Sequence, residues 1–588
     1  MKLLRIKITD PKGFRSLQAG FEYQFRTEWD LQEESGFAPF VCAGPNGSGK
    51  SNLLEVLAAI FYHLECIYLE NRPDSFDYDK ETNPKGFQGN KGIPDGFEIE
   101  YLIDAAHSVQ NQNEQSLAHI LIVKEPGISP KWVHINAESS DENNEITERT
   151  VLRDLLPKYI LGYSSGENEI ISLPFFKMRF VQFDEYWQAL NKQLPYPGFP
   201  ESRLVYLDSG FSQAILLCNL LFQDADALKP FEENIKIEDI KEFRIIIQRS
   251  FEIDEDEILA FGNQDEHEQE SIAEIVENHL ALSVIAEEST TKRYRYNIVH
   301  LLEDDENIDK IIPRLKRCAT CWYHDESGDT IYLDYFVNDT TKKAFRINFS
   351  DDPIELFQVF QVLLTLNLYT ATDRLKAELY QSESLYVNET VPILPSDKRI
   401  MRFKHFWVKK TDSTKPALLK SLSDGEHQLL HTLGLCLLFR NKQSLFLLDE
   451  PETHFNPDWR ANFITRLSEC FNGSEGQEML ITTHTPFLIS DSKPEKVLVF
   501  NKSDGIVSVT HPDYNTLGAS INKITMSTFG KRETIGLRAQ KILDELRERF
   551  DQGANKEQLL AEINRQLGDS VEKVLLIKTI LDSMEKKG

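Results

Sequence analysis

The chain has 588 residues, 41% of them hydrophobic, and a formal net charge of −29 at pH 7. This composition describes a globular protein of roughly two to four domains. The longest apolar runs, residues 214–222 and 429–439, fall short of the ~20 residues that a membrane-spanning helix needs, so no membrane partner is expected. The acidity excludes a chain that lies along DNA over its whole surface, because such binding needs many Lys and Arg. Any DNA contact must be local or supplied by a partner.

Two features indicate the compartment. Residues 1–8 alternate charged and apolar side chains, which predicts a first β-strand and lacks the apolar core of a signal peptide, so a cytoplasmic location is expected. The seven cysteines are scattered, mostly in apolar segments, as reduced thiols are. Cys318 and Cys321 form the only close pair. Plain thiols are the default interpretation there, since no second ligand pair with zinc-binding spacing is obvious nearby.

A glycine-rich turn at residues 44–51, GPNGSGKS, follows the apolar run 39–43 and precedes a helical pattern. Strand, turn and helix is the context in which this motif binds a polyphosphate, although an ordinary glycine-rich turn is the alternative. Backbone N–H groups and the helix start attract the anion, Lys50 reaches the β- and γ-phosphates as a catalytic group, and Ser51 takes a Mg²⁺ position. The predicted nucleotide-binding residues are Gly44, Asn46, Gly47, Gly49, Lys50, Ser51 and Asn52.

The middle of the chain carries no repeat and no sustained heptads, so a long coiled-coil arm is not expected. Residues 66–115 are rich in Asn, Asp and Gly and predict a long loop followed by a strand at 97–103. The acidic runs 138–145 and 254–257 are predicted to be solvated loops. Further strands are predicted at 118–124, 132–135, 159–163, 204–207 and 330–336.

A second group of motifs begins after residue 400. Residues 444–451, SLFLLDEP, form an apolar strand that ends in two carboxylates. Such strands belong to sheets covered on both faces, and ligands bind at their carboxyl ends. Asp449 is predicted to hold Mg²⁺ and Glu450 to orient and deprotonate an attacking water. A strand that merely ends in an acidic turn is the alternative.

Two motifs flank this strand. Residues 421–428, SLSDGEHQ, start a helix whose Ser423 and Gly425 expose N–H groups to an anion, although Ser423 and Glu426 also fit a plain capping box. Residues 479–486 form another apolar strand, which ends in His484. That histidine can sense a γ-phosphate, and a structural role is the alternative.

These four elements, in this order, resemble the ATP-binding cassette (ABC) ATPases. In that family L-S-x-G-E is the signature motif, matched by residues 422–426, and His484 matches the switch histidine. The resemblance implies ATP and Mg²⁺ as cofactors, and a homodimer, or a higher even oligomer, with ATP between two heads. Ser423, Gly425 and Glu426 of one subunit then complete the site built on the phosphate loop of the other.

Three features resemble the split heads of the SMC, RecF and OLD group. The phosphate loop ends at residue 51 and the signature begins only at residue 422, far apart for a transporter cassette. Residues 449–457, DEPETHFNP, resemble the D-E-P-E-x-H-L-H-P run of that group and depart from it at two positions. Residues 13–17 resemble the F-R-S element of that group, which implies that Arg15 approaches the nucleotide phosphate. The alternative is that Arg15 is an ordinary surface arginine. Gln182 is the candidate for the Q-loop glutamine that contacts Mg²⁺.

Across the whole chain, including residues 163–169 and 517–522, the sequence looks most like the restriction-system-associated AAA family ATPases of bacterial anti-phage defence. The implied fold class is an α/β ABC-ATPase head, a mixed sheet flanked by helices, in two parts with a large insertion and a helical tail. The expected boundaries are 1–190 and 396–510 for the head, 191–395 for an α+β insertion and 511–588 for the tail.

The leading interpretation is an ATPase switch that controls a separate effector, a nuclease or toxin, because the tail is too short and too helical for the TOPRIM nuclease of OLD proteins. The alternative is a RecF- or SMC-like ATPase that binds DNA in repair or tethering. Two basic and aromatic segments could contact DNA, residues 292–296 and 402–410. The second alternates in a way that suggests a strand with one basic face, and a solvated strand without DNA contact is the alternative. A transporter energiser is disfavoured by the long separation of the motifs.

Overall fold

The computed structural model describes residues 1–33, 36–73, 76, 92–104, 117–137, 145–165, 169–259, 261, 271–288, 291–304, 307, 309–384, 391, 394–471, 476–530 and 535–585. Most of the acidic run 138–145, much of the loop 66–115 and three residues of 163–169 lie outside the described part.

Strands and helices alternate irregularly along the chain. The strands are β1 (Lys2–Ile8), β2 (Glu22–Gln24), β3 (Phe40–Ala43), β4 (Phe97–Ile103), β5 (Ala118–Lys124), β6 (Lys131–His134), β7 (Glu145–Ile146), β8 (Tyr159–Ser164), β9 (Leu204–Tyr206), β10 (Ile237–Gln248), β11 (Ser250–Ile253), β12 (Leu282–Glu288), β13 (Thr291–Asn297), β14 (Cys321–Asp325), β15 (Thr330–Phe336), β16 (Met401–Lys410), β17 (Ser413–Leu418), β18 (Ser444–Asp449), β19 (Glu478–Thr483), β20 (Val497–Ser503) and β21 (Ile506–Thr510).

The helices are α1 (Glu28–Glu33), α2 (Lys50–Tyr68), α3 (Arg149–Asp154), α4 (Ser172–Asn191), α5 (Ser209–Phe222), α6 (Ala225–Ile235), α7 (Glu255–Leu259), α8 (Ile272–Asn278), α9 (Ile311–Cys318), α10 (Asp339–Asn348), α11 (Pro353–Thr365), α12 (Asp373–Gln381), α13 (Asp424–Phe439), α14 (Pro457–Cys470), α15 (Pro486–Ser490), α16 (Ile521–Phe529), α17 (Leu537–Asp551), α18 (Lys556–Gln566) and α19 (Val571–Glu585).

A seven-stranded sheet forms the centre, in the order β21-β20-β3-β19-β18-β8-β9. All neighbouring pairs are parallel except the β20–β21 hairpin. Every residue of β3, β18 and β19 is buried, because apolar clusters cover both faces of the sheet. The parallel register brings the carboxyl ends of β3, β19, β18 and β8 to one edge, where Asp449 is level with Thr482 and Ser164.

One face of the central sheet packs with α2 and an antiparallel sheet of order β2-β1-β4-β5-β6-β7, whose buried residues share one core. The other face shares a core with α5, α11, α13 and a second antiparallel sheet of order β14-β15-β10-β16-β17. That second sheet begins inside the predicted insertion and is completed by β16 and β17, which lie after residue 395. A small sheet, β11-β13-β12, stands beside it.

The tail after the central sheet is helical, as expected. Helices α17, α18 and α19 enclose their own apolar core, built around Leu543, Leu559 and Ile580. The acidic run at 254–257 is not a loop, which corrects the sequence prediction. It starts helix α7, because the Asp254 carboxylate accepts the Glu257 N–H at 2.9 Å and so caps the helix.

Among the described residues no single helix is both long and apolar enough to cross a bilayer. Two consecutive helical segments, Pro353–Leu368 and Asp373–Gln381, are together long and apolar enough, and the chain bends by 110° between them. The first segment belongs to the core shared by the central and second antiparallel sheets.

Candidate functional site

The glycine-rich loop connects buried strand β3 to helix α2 at the edge where the parallel strands end. Gly44 and Gly49 adopt φ values of 143° and 99°, which L side chains rarely take. A Cβ at Gly44 would lie 2.3 Å from the carbonyl oxygen of Phe500, so neighbouring β20 leaves no room for one. Asn46 and Gly47 form the exposed crest of the loop. The loop therefore has the strand–turn–helix geometry that the motif predicted.

Lys50 is the first residue of α2, and its side chain bends back over the loop. The Nζ atom donates to the carbonyl oxygens of Gly44 and Pro45, each at 3.0 Å. Burial lowers the pKa of Lys50, an effect that the nearby carboxylates of Glu450 and Asp449 oppose. The ammonium group thus lies at the loop, with two acidic side chains close to it.

Asp449 ends strand β18 and is surrounded by hydroxyl groups. Its Oδ1 accepts from Ser51 Oγ at 2.7 Å and from Thr482 Oγ1 at 2.6 Å, and its Oδ2 accepts from Ser164 Oγ at 3.2 Å. Burial raises the pKa of this carboxyl. Carboxylate and hydroxyl oxygens are ligands that suit Mg²⁺, and the structure brings the predicted pair Ser51 and Asp449 into direct contact.

Glu450 follows Asp449 and faces the end of the next strand. Its Oε1 lies 2.8 Å from Nε2 of His484, so these two predicted residues are paired. The hydrogen bond from His484 holds the pKa of the Glu450 carboxyl below its usual range, which keeps it ionised. Glu450 has a φ of 50°, and its N–H donates to the Thr482 carbonyl oxygen at 3.2 Å. A glutamate in the left-handed region is uncommon and is typical of functional sites.

Glu452 is a buried carboxyl behind this pair that sequence reasoning did not single out. Its Oε1 accepts from the hydroxyl of Thr483, the residue before His484, while Oε2 has no hydrogen-bond partner among the described residues. Burial raises the pKa of Glu452 to about 7. Ser164 and Thr482 were also missed, and their only signal is a hydroxyl residue at the end of an apolar strand.

Glu452→Gln should stabilise the protein more at about pH 8 than at about pH 5.5. The raised pKa means that the folded state holds the proton more tightly than the unfolded chain does. Wild-type stability therefore falls as the pH rises from the ordinary glutamate range to about 7, whereas glutamine does not ionise. Thermal unfolding of both proteins at the two pH values measures this difference. An equal difference at both values would show that Glu452 does not titrate in this way.

Gln182 does not belong to the site, so the prediction that it contacts Mg²⁺ is wrong. It lies in the middle of α4, buried, and its Nε2 donates to Ser202 Oγ at 2.9 Å. Its Oε1 accepts from Gln361 Nε2 at 3.2 Å. The oxygen that reaches Asp449 from the neighbouring strand is the hydroxyl of Ser164 instead.

Arg15 and Asn52 support the start of α2. The Arg15 Nε donates to Glu55 Oε1 at 2.9 Å, and its Nη2 donates to the Glu383 carbonyl oxygen at 2.8 Å. Asn52 accepts from Ser16 Oγ at 2.6 Å and donates to Glu55 Oε2 at 3.0 Å. Arg15 is thus fixed one turn beyond Ser51, and its contact with phosphate remains a prediction.

The signature residues lie at the exposed start of α13. Ser423 and Glu426 form the capping box, with Ser423 N–H donating to Glu426 Oε2 at 2.8 Å and Glu426 N–H donating to Ser423 Oγ at 3.3 Å. Lys410 Nζ donates to Glu426 Oε1 at 3.3 Å. A Cβ at Gly425 would lie 2.8 Å from the carbonyl oxygen of His454. Within one chain the signature therefore contacts these neighbours, and Ser423 stays on the surface.

The parallel central sheet, the phosphate loop and the strand-end carboxylates define an α/β fold with a P-loop nucleotide-binding site. Residues 220–490, less than half of the chain, match the family model described as "AAA domain, putative AbiEii toxin, Type IV TA system". A curated relative is the protein ea59 of Escherichia phage lambda, 26% identical over 118 residues, which span 20% of this chain and 22% of that protein. The chain thus matches about a fifth of that relative's length.

Solved structures similar to this chain include SMC heads. The SMC head bound to the C-winged helix domain of ScpA has a TM-score of 0.31 and 10% identity, over 87% of this chain and 97% of that one. The SMC head domain from Thermotoga maritima has a TM-score of 0.28 and 11% identity, over 87% and 100%. The SMC head with an extended coiled coil, bound to the C-terminal domain of ScpA from Pyrococcus furiosus, has a TM-score of 0.30 and 12% identity, over 93% and 99%.

Proposed function

We propose that this chain is an ATP-hydrolysing switch that closes as a homodimer around ATP. The observation that carries the proposal is the meeting of Ser51, Asp449, Glu450 and His484 beside the phosphate loop, with Ser51 bonded to Asp449 and Glu450 to His484. The exposed signature supports a composite site, because Ser423 is available to a second copy of the chain.

The residues divide the work of hydrolysis between them. Lys50 exchanges its two loop carbonyl partners for phosphate oxygens, and the loop N–H groups hold the β-phosphate. Glu450 accepts the proton of a water that attacks the γ-phosphorus, while ADP leaves with the electron pair of the broken bond. His484 keeps the Glu450 carboxylate ionised and aimed. Mg²⁺ held by Ser51 and Asp449 would neutralise charge on the phosphates.

Mixing two inactive variants tests the composite site. Lys50→Ala removes the phosphate-loop cation, and Ser423→Arg blocks the signature, so each homodimer should lose about 10²-fold or more in ATP hydrolysis. A mixed dimer keeps one intact site, made of the Lys50 of one subunit and the Ser423 of the other. Phosphate release should therefore reappear on mixing.

Ser423→Arg also removes the cap of α13, and the loss of a helix cap costs about 1 kcal/mol of stability. A matched control separates that loss from the loss of the signature. Ser520 caps a different helix, α16, by accepting from the Lys523 N–H. Ser520→Arg should retain activity on its own. Two inactive variants that stay inactive when mixed, although they associate, would contradict the composite site.

We further propose that the switch serves a bacterial anti-phage, restriction-type system and controls a separate effector, a nuclease or toxin. The resemblance of the whole chain, including residues 163–169 and 517–522, to restriction-system-associated AAA family ATPases supports this role, as does the family description, which names a toxin of a toxin–antitoxin system. ATP-dependent co-purification with the product of a neighbouring gene tests the effector, and a plaque assay tests protection. If cells that carry Lys50→Ala keep both the partner and the protection against phage, this assignment is contradicted.

A second candidate function, DNA binding, is favoured by one surface. The β16–β17 hairpin, residues 401–418, holds five Lys or Arg and a single Asp in a chain of net charge −29. Lys404 and Lys409 are exposed, and Phe403 and Trp407 are half-buried beside them. The pairing of β16 with β10 shifts register, and His405 has a φ of 52°, so the basic face is less regular than the sequence alternation suggested.

The other basic segment exposes Lys292 and Arg293 but buries its aromatic residues. Residues 292–296 lie in β13, where Tyr294 and Tyr296 are buried, and Arg293 Nη1 lies 3.5 Å from Glu252 Oε1. The hairpin is therefore the surface to test for DNA.

Lys404→Glu combined with Lys409→Glu should weaken binding to duplex DNA and reduce the salt dependence of affinity by a slope of about 2, since each phosphate contact contributes about 0.9. Fluorescence anisotropy with ATP at several salt concentrations measures both quantities. Arg293→Glu serves as the matched charge reversal outside the hairpin. Equal losses in the two proteins would exclude the hairpin as the DNA surface.

A further inference from the structure

Gln428 lies in the second turn of the signature helix α13, and both ends of its amide are engaged. Its Nε2 donates to Ser165 Oγ at 2.9 Å, and its Oε1 accepts from the His454 N–H at 2.8 Å. The side chain is 3% exposed. A buried amide with both ends satisfied by two different loops fixes the distance between those loops, because losing either bond leaves a buried polar group unpaired.

The first of these loops is hydrogen-bonded to Asp449, the carboxylate proposed to hold Mg²⁺. Ser165 N–H donates to the Asp449 carbonyl oxygen at 3.1 Å, and the preceding Ser164 donates its hydroxyl to Asp449 Oδ2. Asp449 in turn contacts Ser51 at the phosphate loop. A shift of Asp449 therefore moves the partner of the Gln428 amide nitrogen.

The second loop touches the signature itself. The carbonyl oxygen of His454 lies where a Cβ on Gly425 would come within 2.8 Å, so the first turn of α13 packs directly on this backbone. The same loop bonds to the backbone of the catalytic residue, since Thr453 Oγ1 donates to the main-chain carbonyl oxygen of Glu450 at 2.9 Å. Gln428 thus connects two loops to the helix that presents Ser423: the loop after β8, which bonds to Asp449, and the loop that follows Glu450.

We propose that Gln428 is a positioning residue that couples each subunit's own nucleotide site to the signature it presents to its partner. The inference rests on the proposed function, and it adds a direction of communication. Occupancy of the Ser51–Asp449 site moves Ser165 and the 453–454 backbone, and the Gln428 amide transmits that movement to α13. The signature then meets the partner's ATP in its productive position more readily, by about tenfold, when its own subunit is loaded. ATP-driven dimerisation should accordingly be cooperative in ATP.

The test compares Gln428→Met, Ser165→Ala and their combination in the Glu450→Gln background, which slows turnover. Binding of a fluorescent ATP analogue to the monomer should stay within about twofold, while the ATP concentration for half-maximal dimerisation rises about tenfold. The Hill coefficient of dimerisation should fall toward one. The double variant should be no worse than Gln428→Met, because both changes break the same connection.

Gln361→Met is the matched control. Gln361 is also a buried helix glutamine, 3% exposed, and it donates to another side chain, Gln182, outside the site. Its loss should lower the thermal midpoint without moving the dimerisation midpoint or the Hill coefficient.

The outcomes separate the two proposals. If the parent protein dimerises with ATP but Gln428→Met and Ser165→Ala do so with an unchanged midpoint, the coupling is overturned and the proposed function stands. Additive effects of the two substitutions, or an equal shift in Gln361→Met, overturn it as well. If the parent binds ATP and fails to dimerise, the proposed composite site fails and the coupling falls with it.

Discussion

Glu450→Gln should abolish most ATP turnover while ATP is still bound and the dimer accumulates. Removing a general base costs roughly 10²–10⁴-fold in rate. The amide has nearly the shape of the carboxylate and still meets His484 Nε2, which lies 2.8 Å from Oε1 in the native protein. What it loses is the capacity to accept a proton from water. Nucleotide binding, which depends on the phosphate loop, has no reason to change.

Phosphate release and light scattering of the eluting protein measure turnover and dimer together. Glu452→Gln is the matched control, since it replaces a carboxyl two residues away that is buried and bonded to Thr483. That variant should keep most of its turnover. A Glu450→Gln protein that hydrolyses ATP at the wild-type rate would show that another group takes the proton.

Lys50→Ala should remove nucleotide binding, with an affinity loss of about 10²-fold or more, as expected for a buried charge-assisted contact. The Lys50 ammonium lies against Gly44 and Pro45 and near two carboxylates. Without it, the negative charges of Asp449 and Glu450 face the phosphates with less compensation. Any protection against phage should disappear with the binding.

Calorimetric titration with ATP and Mg²⁺ measures the loss. Lys124→Ala provides the control for removing a buried lysine, because Lys124 is 5% exposed and pairs with Asp95 at 2.7 Å in the amino-terminal sheet. Lys124→Ala should lower stability and retain ATP affinity. Equal affinity losses in both variants would mean that Lys50 acts through folding rather than through phosphate contact.

Most of the local site could be predicted from the sequence. The phosphate loop, the buried strand that ends in Asp449 and the capping box at Ser423 each depend on residues close together in the chain, and their patterns are specific. The sequence also placed Glu450 and His484 at the ends of apolar strands. Their pairing is seen only in the structure, where the parallel neighbours β18 and β19 finish at the same edge of the sheet.

The parts that could not be predicted depend on which strands are neighbours. Ser164 reaches Asp449 only because β8 lies beside β18, and no local pattern states that order. Gln182 matches a Q-loop glutamine by residue type alone, whereas the structure places it inside a helix with polar partners of its own. The β16–β17 hairpin joins a sheet started by β10, more than a hundred residues earlier in the chain. Such long-range pairing is set by the whole core rather than by a window of sequence.

The capping box at the start of α13 has a consequence for selectivity. While a subunit is alone, the Glu426 carboxylate satisfies the N–H of Ser423, so a free anion has to compete with a tethered one at high effective concentration. Dissolved phosphate or ATP is poorly placed to win that competition. In the proposed dimer, the phosphate loop of the other subunit holds the γ-phosphate in place. That phosphate therefore also has a high effective concentration and can replace the Glu426 carboxylate at the Ser423 N–H. The start of α13 would therefore bind small anions from solution weakly and bind a nucleotide that the partner subunit already holds.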